Sequence, residues 1–260
     1  MGTTNLADYQ DKYDIVHFER EDGILTMRLH SGDGPFMWTM PDHLKLLSAF
    51  ADVAGDEQNE VVILTGTGDV FSGPRPTAPE SGARIRPDST PREWERRYRE
   101  ATRLELNLLD IGVPVICAVN GPAVRHAELV FLCDIVLASE TAEFQDSVHF
   151  HDHIVPGDGC HVVYQEIMGI RRGTYFLMTG EIISAHAAHN LGIVNEVLPP
   201  DALMLRALEL ARYVRQRPVL VRRFTKILLS DKLRTAMHQR LGHGLALESL
   251  AYLDGAEAVS

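Results

Sequence analysis

The sequence predicts an α/β protein with a largely parallel sheet, and three observations carry that prediction. Residues 61–64 (Val-Val-Ile-Leu) and 115–119 (Val-Ile-Cys-Ala-Val) are continuous apolar runs, as strands buried on both faces require. Around them lie stretches with apolar residues at helical spacing, so strand and helix alternate along the chain. Past residue 160 the pattern turns mostly helical, which divides the chain into a core domain over residues 1–200 and a helical region over residues 201–260.

From the N-terminus, residues 1–13 are polar, with Tyr9 and Tyr13 as anchors. Apolar runs at 15–18 and 24–29 flank Glu21-Asp22-Gly23, a strand–turn–strand signal. Over residues 41–54, Leu44, Leu47 and Phe50 recur at helical spacing and Pro41 suits a first turn. Residues 72–91 are rich in Pro, Gly, Ser and Thr, and a loop this long inside a compact domain is expected to shape a pocket. A helix over 91–109 follows, then the strand at 115–119 ending in Asn120-Gly121-Pro122, a helix over 127–133 and a strand over 135–138. Further on, residues 194–198 suit a short strand, and Leu203, Ala207, Leu210, Ala211 and Val214 form one apolar stripe. Pro218 is expected to open another helix and residues 232–253 to hold the last.

Composition narrows the function classes. Apolar content of 45% and charged content of 23% are those of an ordinary globular chain. A formal charge of −11 argues against nucleic acid and anionic membrane surfaces, because nothing would neutralise phosphates in bulk. The arginine-rich run at 92–99 is interrupted by Glu93 and Glu95, the pattern of a solvated helix face. Cys117, Cys133 and Cys160 are too few and too far apart for a zinc ribbon or a disulfide framework. The polar start carries no signal-peptide pattern, and the apolar runs fall far short of the ~20 residues that span a bilayer, so a cytoplasmic protein is expected.

The densest chemistry lies in residues 143–162, where His149, His151, His153 and His161 stand beside Asp146, Asp152 and Asp158 around a Pro156-Gly157-Asp158-Gly159 turn. Imidazole both takes and gives a proton near neutral pH, and a carboxylate fixes its tautomer. His149 is therefore the expected general base, steadied by Asp158, with Gly157 and Gly159 permitting the tight turn that aims the acid. A metal alternative stays open: if extended, His149, His151 and His153 project from one face and could ligate zinc, with Asp158 supporting them.

Several segments, in order, resemble the crotonase (enoyl-CoA hydratase/isomerase) superfamily. They are residues 62–68, Asn120-Gly121-Pro122-Ala123, residues 128–138, residues 154–159 and Met178-Thr179-Gly180-Glu181. The resemblance implies a crotonase-like spiral of ββα units with a helical C-terminal trimerisation region. Departures from the hydratase pattern point away from coenzyme A chemistry. The turn expected to hold a thioester oxygen reads Ser72-Gly73-Pro74-Arg75-Pro76, whose prolines have no N–H to donate. Of the hydratase glutamate pair only Glu128 is present, and His149 stands near the second position.

The chain more narrowly resembles the 6-oxocamphor hydrolase group of β-diketone hydrolases, crotonase-fold enzymes that cleave a C–C bond without coenzyme A. Met37-Trp38-Thr39, His126 two residues before Glu128, Phe144-Gln145-Asp146, His149, residues 156–163 and Glu248 in the last helix carry this likeness. It implies a small-molecule diketone substrate, no cofactor, no metal, and homotrimers or hexamers built as dimers of trimers. In that scheme His149 with Asp158 activates water, and His126 and Trp38 bind the carbonyl and enolate oxygens. Glu248, a carboxylate flanked by leucines, serves as proton donor or polar anchor; Glu128 supports the site. A crotonase-fold lyase or cyclase, a coenzyme A hydratase or isomerase, and the metal hydrolase above remain the alternatives. The neutral imidazole of His149 is expected to be the active form.

Overall fold

The structure, a computed structural model, describes residues 4–74, 90–150 and 153–257, with side chains described to residue 251. A short helix α1 (Leu6–Tyr9) precedes the hairpin β1 (Val16–Glu21) and β2 (Ile24–Leu29). Asp22 and Gly23 turn it at φ of 49° and 76°, the left-handed geometry that matches strand twist. Helix α2 (Asp42–Gly55), strand β3 (Val61–Gly66), helix α3 (Pro91–Leu109) and strand β4 (Val115–Val119) follow, then α4 (Glu128–Phe131), β5 (Ile135–Ser139) and β6 (Glu143–Phe144). Beyond the candidate site come α5 (Cys160–Met168), α6 (Ile170–Thr179), β7 (Ile183–Ser184), α7 (Ala185–Asn190), β8 (Glu196–Leu198), α8 (Pro200–Arg215) and α9 (Val219–Glu257).

The six-stranded sheet runs β1-β2-β3-β4-β5-β8, antiparallel only between β1 and β2. Its central strands bury both faces, as their unbroken apolar runs require. Val62, Leu64, Val115, Cys117 and Val119 face the larger core, while Val61, Ile63, Ile116 and Ala118 face a second cluster closed by Leu203, Ala207 and Ala211 of α8. Tyr9 and Tyr13 are buried anchors, Tyr9 donating to Asp56 at 2.9 Å and Tyr13 to Asp52 at 2.6 Å.

Helix α3 starts on a capping box. Thr90 Oγ1 accepts from the Glu93 amide at 3.3 Å and the Glu93 carboxylate accepts from the Thr90 amide at 2.7 Å, with Pro91 in the first turn. The expected break near residue 232 is absent: α9 is one helix of 39 residues. No Gly or Pro interrupts residues 219–241, and Ser230 bonds back to the Lys226 carbonyl at 2.8 Å, so nothing local stops the helix. Most of the expected pocket loop at 72–91 lies outside the described residues. No helix among the described residues is long and apolar enough to cross a membrane.

Candidate active site

The loop after β6, the β4–α4 turn, the turn before α5, and one face each of α3 and α9 enclose a cavity of about 150 Å³. His149, Asp158, His126 and Glu248 all line it; Trp38 does not.

His149 is buried and held by two acids. Its Nδ1 lies 2.8 Å from Asp146 Oδ1 and its Nε2 3.1 Å from Asp158 Oδ2. Asp146 is itself fixed, its Oδ1 also accepting from the amides of Val148 and His149 at 3.4 Å. Burial works against a charged ring, yet the two carboxylates, Asp146 ahead of Asp158, hold the His149 pKa well above the ordinary histidine value. The resting ring is thus held toward the imidazolium, and the neutral ring expected to be the active form is its deprotonated minority. The Asp158 contact to His149 expected from the sequence is present, on Nε2, and the structure adds a second acid, Asp146, on Nδ1. Asp158 is held well below the usual carboxylate range by His149 and then His126, against the effect of its burial. Its Oδ1 is buried with no hydrogen-bond partner among the described residues.

Two glycines seat this acid. Gly159 has φ +109°, and a Cβ there would fall 1.8 Å from Glu105 Oε2. At Gly157 a Cβ would fall 2.2 Å from the Gly244 carbonyl, so only glycine lets α9 approach the Asp158 turn.

His126, at φ 49°, is held differently. The Met40 carbonyl, 3.1 Å from His43 Nδ1, can only accept, so His43 carries its proton on that nitrogen. Burial, followed by the charge of His126, pushes the His43 pKa down to about 3, leaving its Nε2 a bare acceptor. His126 Nε2, 2.9 Å away, must donate to it, and His126 Nδ1 meets the Glu128 carboxylate at 2.7 Å. Both nitrogens of His126 then carry protons. Its pKa is raised because Glu128, then Asp158, outweigh burial. Trp38 packs its ring 4.4 Å from His126 and 5.0 Å from His43, and its buried Nε1 has no partner among the described residues.

Two carboxyls on the cavity wall are uncharged. Glu105 is buried, its pKa raised well above the ordinary value by desolvation and then by Glu128 and Asp158. Glu248 is half-buried and pushed up to about 8 by burial and then Asp158, although His149, His126 and Arg97 pull the other way. A neutral acid beside two imidazolium rings is a proton donor at neutral pH.

The described ends of the stretch that the three-histidine metal reading needs extended are not extended. His149 is buried in an irregular turn, His153 is exposed at φ 63°, and His151 lies outside the described residues. Three other sets among the described residues bring potential metal-ligand atoms within 4.8 Å of one another: Asp146, His149 and Cys160; His126, Glu128 and Asp158; and, at the surface, His17, His30 and Asp33. The hydratase-type oxyanion contact is also closed where described. The amides of Ser72 and Gly73 donate to the carbonyls of Pro122 and Phe36 at 3.2 and 2.9 Å.

Sequence reading gave no role to Asp146, His43 or Glu105. Asp146 was detectable, three residues before His149 in a turn where an Asp commonly caps the following amides. Glu105 was detectable too, because it shares the helical face of Ala101, Leu104 and Leu108. Nothing local marks His43, which reaches His126 across 83 positions of chain.

The family model for enoyl-CoA hydratase/isomerase matches residues 20–249. A β-diketone hydrolase from the cyanobacterium Anabaena sp. PCC 7120, solved bound to (S)-3-oxocyclohexyl acetic acid, is 42% identical, with TM-score 0.88, covering 95% of this chain and 97% of its own. A probable peroxisomal enoyl-CoA hydratase of Arabidopsis thaliana is 32% identical over 209 residues, spanning 78% of this chain and 72% of that protein. An enoyl-CoA hydratase/isomerase structure from Mycobacterium paratuberculosis shares the fold at TM-score 0.80 and 24% identity, covering 92% of this chain and 94% of its own. The crotonase-like fold expected from the sequence is borne out.

Proposed function

The chain belongs to the enoyl-CoA hydratase/isomerase family, and we propose that within it this protein hydrolyses a C–C bond of a β-diketone by a retro-Claisen reaction. The observation that carries the reading is the pair of charged imidazoles, His149 and His126, separated by the single carboxylate of Asp158, which lies 3.1 Å from one and 4.0 Å from the other. The 42% likeness to a β-diketone hydrolase bound to a keto acid supports it.

Such a reaction needs a base, a stabilised oxyanion and an enolate leaving group. His149 is the base in the fraction of molecules that have lost its Nε2 proton. Asp146 fixes the ring through Nδ1 and stabilises the imidazolium that re-forms as water gives up its proton. The water oxygen bonds to one carbonyl carbon, and collapse of the tetrahedral intermediate breaks the adjacent C–C bond. The electron pair passes into the second carbonyl as an enolate. The fixed cation of His126, backed by Trp38, stabilises that developing charge without reorganisation. Glu248 supplies the proton that converts the enolate carbon to a ketone. The carboxylic acid formed releases its proton to solvent and the His149 imidazolium returns one to the Glu248 carboxylate, so that one carboxylate and one ketone result and no cofactor enters the balance.

The test is turnover of cyclic 1,3-diketones in ¹⁸O-labelled water, read by mass spectrometry. A keto acid with a single labelled carboxylate oxygen is expected. Addition of water to crotonoyl-CoA, with no diketone cleaved, would instead support a hydratase. We also infer a homo-oligomer, trimer or hexamer, supported by the exposed Leu220, Phe224, Ile227 and Leu228 along one face of α9. Sedimentation velocity gives the mass; a monomer would refute it.

A further inference from the structure

One face of α3 runs the length of the cavity, presenting Trp94, Arg97, Ala101, Leu104 and Glu105. Glu105 marks its inner end, where Gly159 and the Asp158 turn pack on the carboxyl. Arg97 stands eight residues earlier, a rise of about 12 Å along the helix. Between them Ala101 and Leu104, joined by Leu245 of α9, supply an apolar stretch of wall, with Tyr98, Glu100 and Ser249 also on the lining. The cavity is therefore polarised lengthwise: reacting histidines and acids at one end, an apolar middle, and a guanidinium at the other.

No ion pair among the described residues takes up the charge of Arg97, which acts only at longer range on Glu93 and Glu248. Its neighbours Arg96 and Arg99 pair with Glu100 and Glu95 on the same helix, at 3.7 and 2.6 Å. Arg97 makes no ion pair among the described residues; its guanidinium lies 5.2 Å from the centroid of the Trp94 ring, a contact that leaves its charge unneutralised. Glu248, the nearby acid of α9, is kept in its neutral form at neutral pH by burial. A guanidinium on the cavity wall, beside an indole and without an ion-pair partner among the described residues, suits a planar anion such as a carboxylate.

We propose that Arg97 binds a carboxylate carried on an arm of the substrate, remote from the reacting carbonyls. The substrate class is then a β-diketone with an anionic arm, and its product is a keto acid with two carboxylates. The apolar middle of the cavity takes the carbon skeleton between the two ends. This rests on the diketone reading above and narrows it.

Two diketones differing only in the arm, a free carboxylate or its methyl ester, discriminate, together with calorimetric titration of the two corresponding keto-acid products. Wild-type enzyme is expected to favour the acid over the ester by about 10–100-fold in kcat/KM and in product affinity, the range for a charge-assisted contact. In R97Q that ratio should fall to near unity, and R97K should recover part of it. Equal handling of acid and ester by wild type, or a preference that survives in R97Q, overturns the assignment of Arg97 while leaving diketone hydrolysis standing. Cleavage of neither diketone removes the diketone reading and this inference with it.

Discussion

His149 and His126 line the same cavity, yet the groups that hold them differ. His149 lies between two carboxylates, Asp146 on Nδ1 and Asp158 on Nε2. His126 lies between one carboxylate, Glu128, and the bare nitrogen of a neutral imidazole, His43. Both rings carry positive charge at rest, but only one can usefully lose it. When His149 gives up its Nε2 proton, the freed lone pair faces Asp158 and is thereby made strongly basic. When His126 loses a proton, a buried contact with His43 or Glu128 is left without its hydrogen. The same side chain is a base in one setting and a fixed cation in the other, and the neighbours make the difference.

The widest separation of the two roles is expected from His149→Ala and His126→Ala. Steady-state kinetics on a cleavable diketone should show kcat reduced about 10²–10⁴-fold in the first, the usual contribution of a positioned base. The second should cost about 10²–10³-fold, the usual cost of losing one preorganised charge stabiliser. Only His149→Ala should also abolish the rise of kcat/KM with pH. If the two variants are equally slow and both keep that rise, the division of labour is wrong.

A smaller but sharper effect concerns pH. The base must be deprotonated, and His149 is raised above the ordinary histidine value, so activity should climb with pH beyond the usual histidine range. The donor must be protonated, and Glu248 is raised to about 8, so activity should fall again above that pH. A profile measured from pH 5 to 10 should therefore be a bell displaced to the alkaline side. Glu248→Gln should lack the descending limb and turn over more slowly. A descending limb unchanged in that variant would give the acid role to another group.

Much of this molecule can be read from its order of residues, and what cannot has a common cause. Strand β4 and helix α3 have the expected bounds, because an unbroken β-branched run and a Thr-Pro-x-Glu start are local signals. The stretch around His149 and the turn at Asp158 stand out by composition alone. Their electrostatics do not. The imidazolium state of His149 depends on two acids reaching opposite edges of one buried ring, and the double protonation of His126 depends on His43 from α2. The His43 contact spans 83 positions, and even the nearby acids act through the burial of the ring, on which local periodicity carries no information. The unbroken α9 teaches a related lesson: polar residues such as Ser230 and Asp231 can sit mid-helix when no Gly or Pro accompanies them.

The protonation of these rings can be observed directly. In ¹⁵N-histidine-labelled protein, with signals assigned through His149→Ala, His126→Ala and His43→Gln, the ring nitrogens report charge and tautomer as pH is raised. His149 and His126 should remain doubly protonated at pH 7, while His43 stays neutral with its proton on Nδ1 down to about pH 3. A His149 signal already neutral at pH 7, titrating like a free imidazole, would contradict the two-carboxylate clamp and the mechanism built on it.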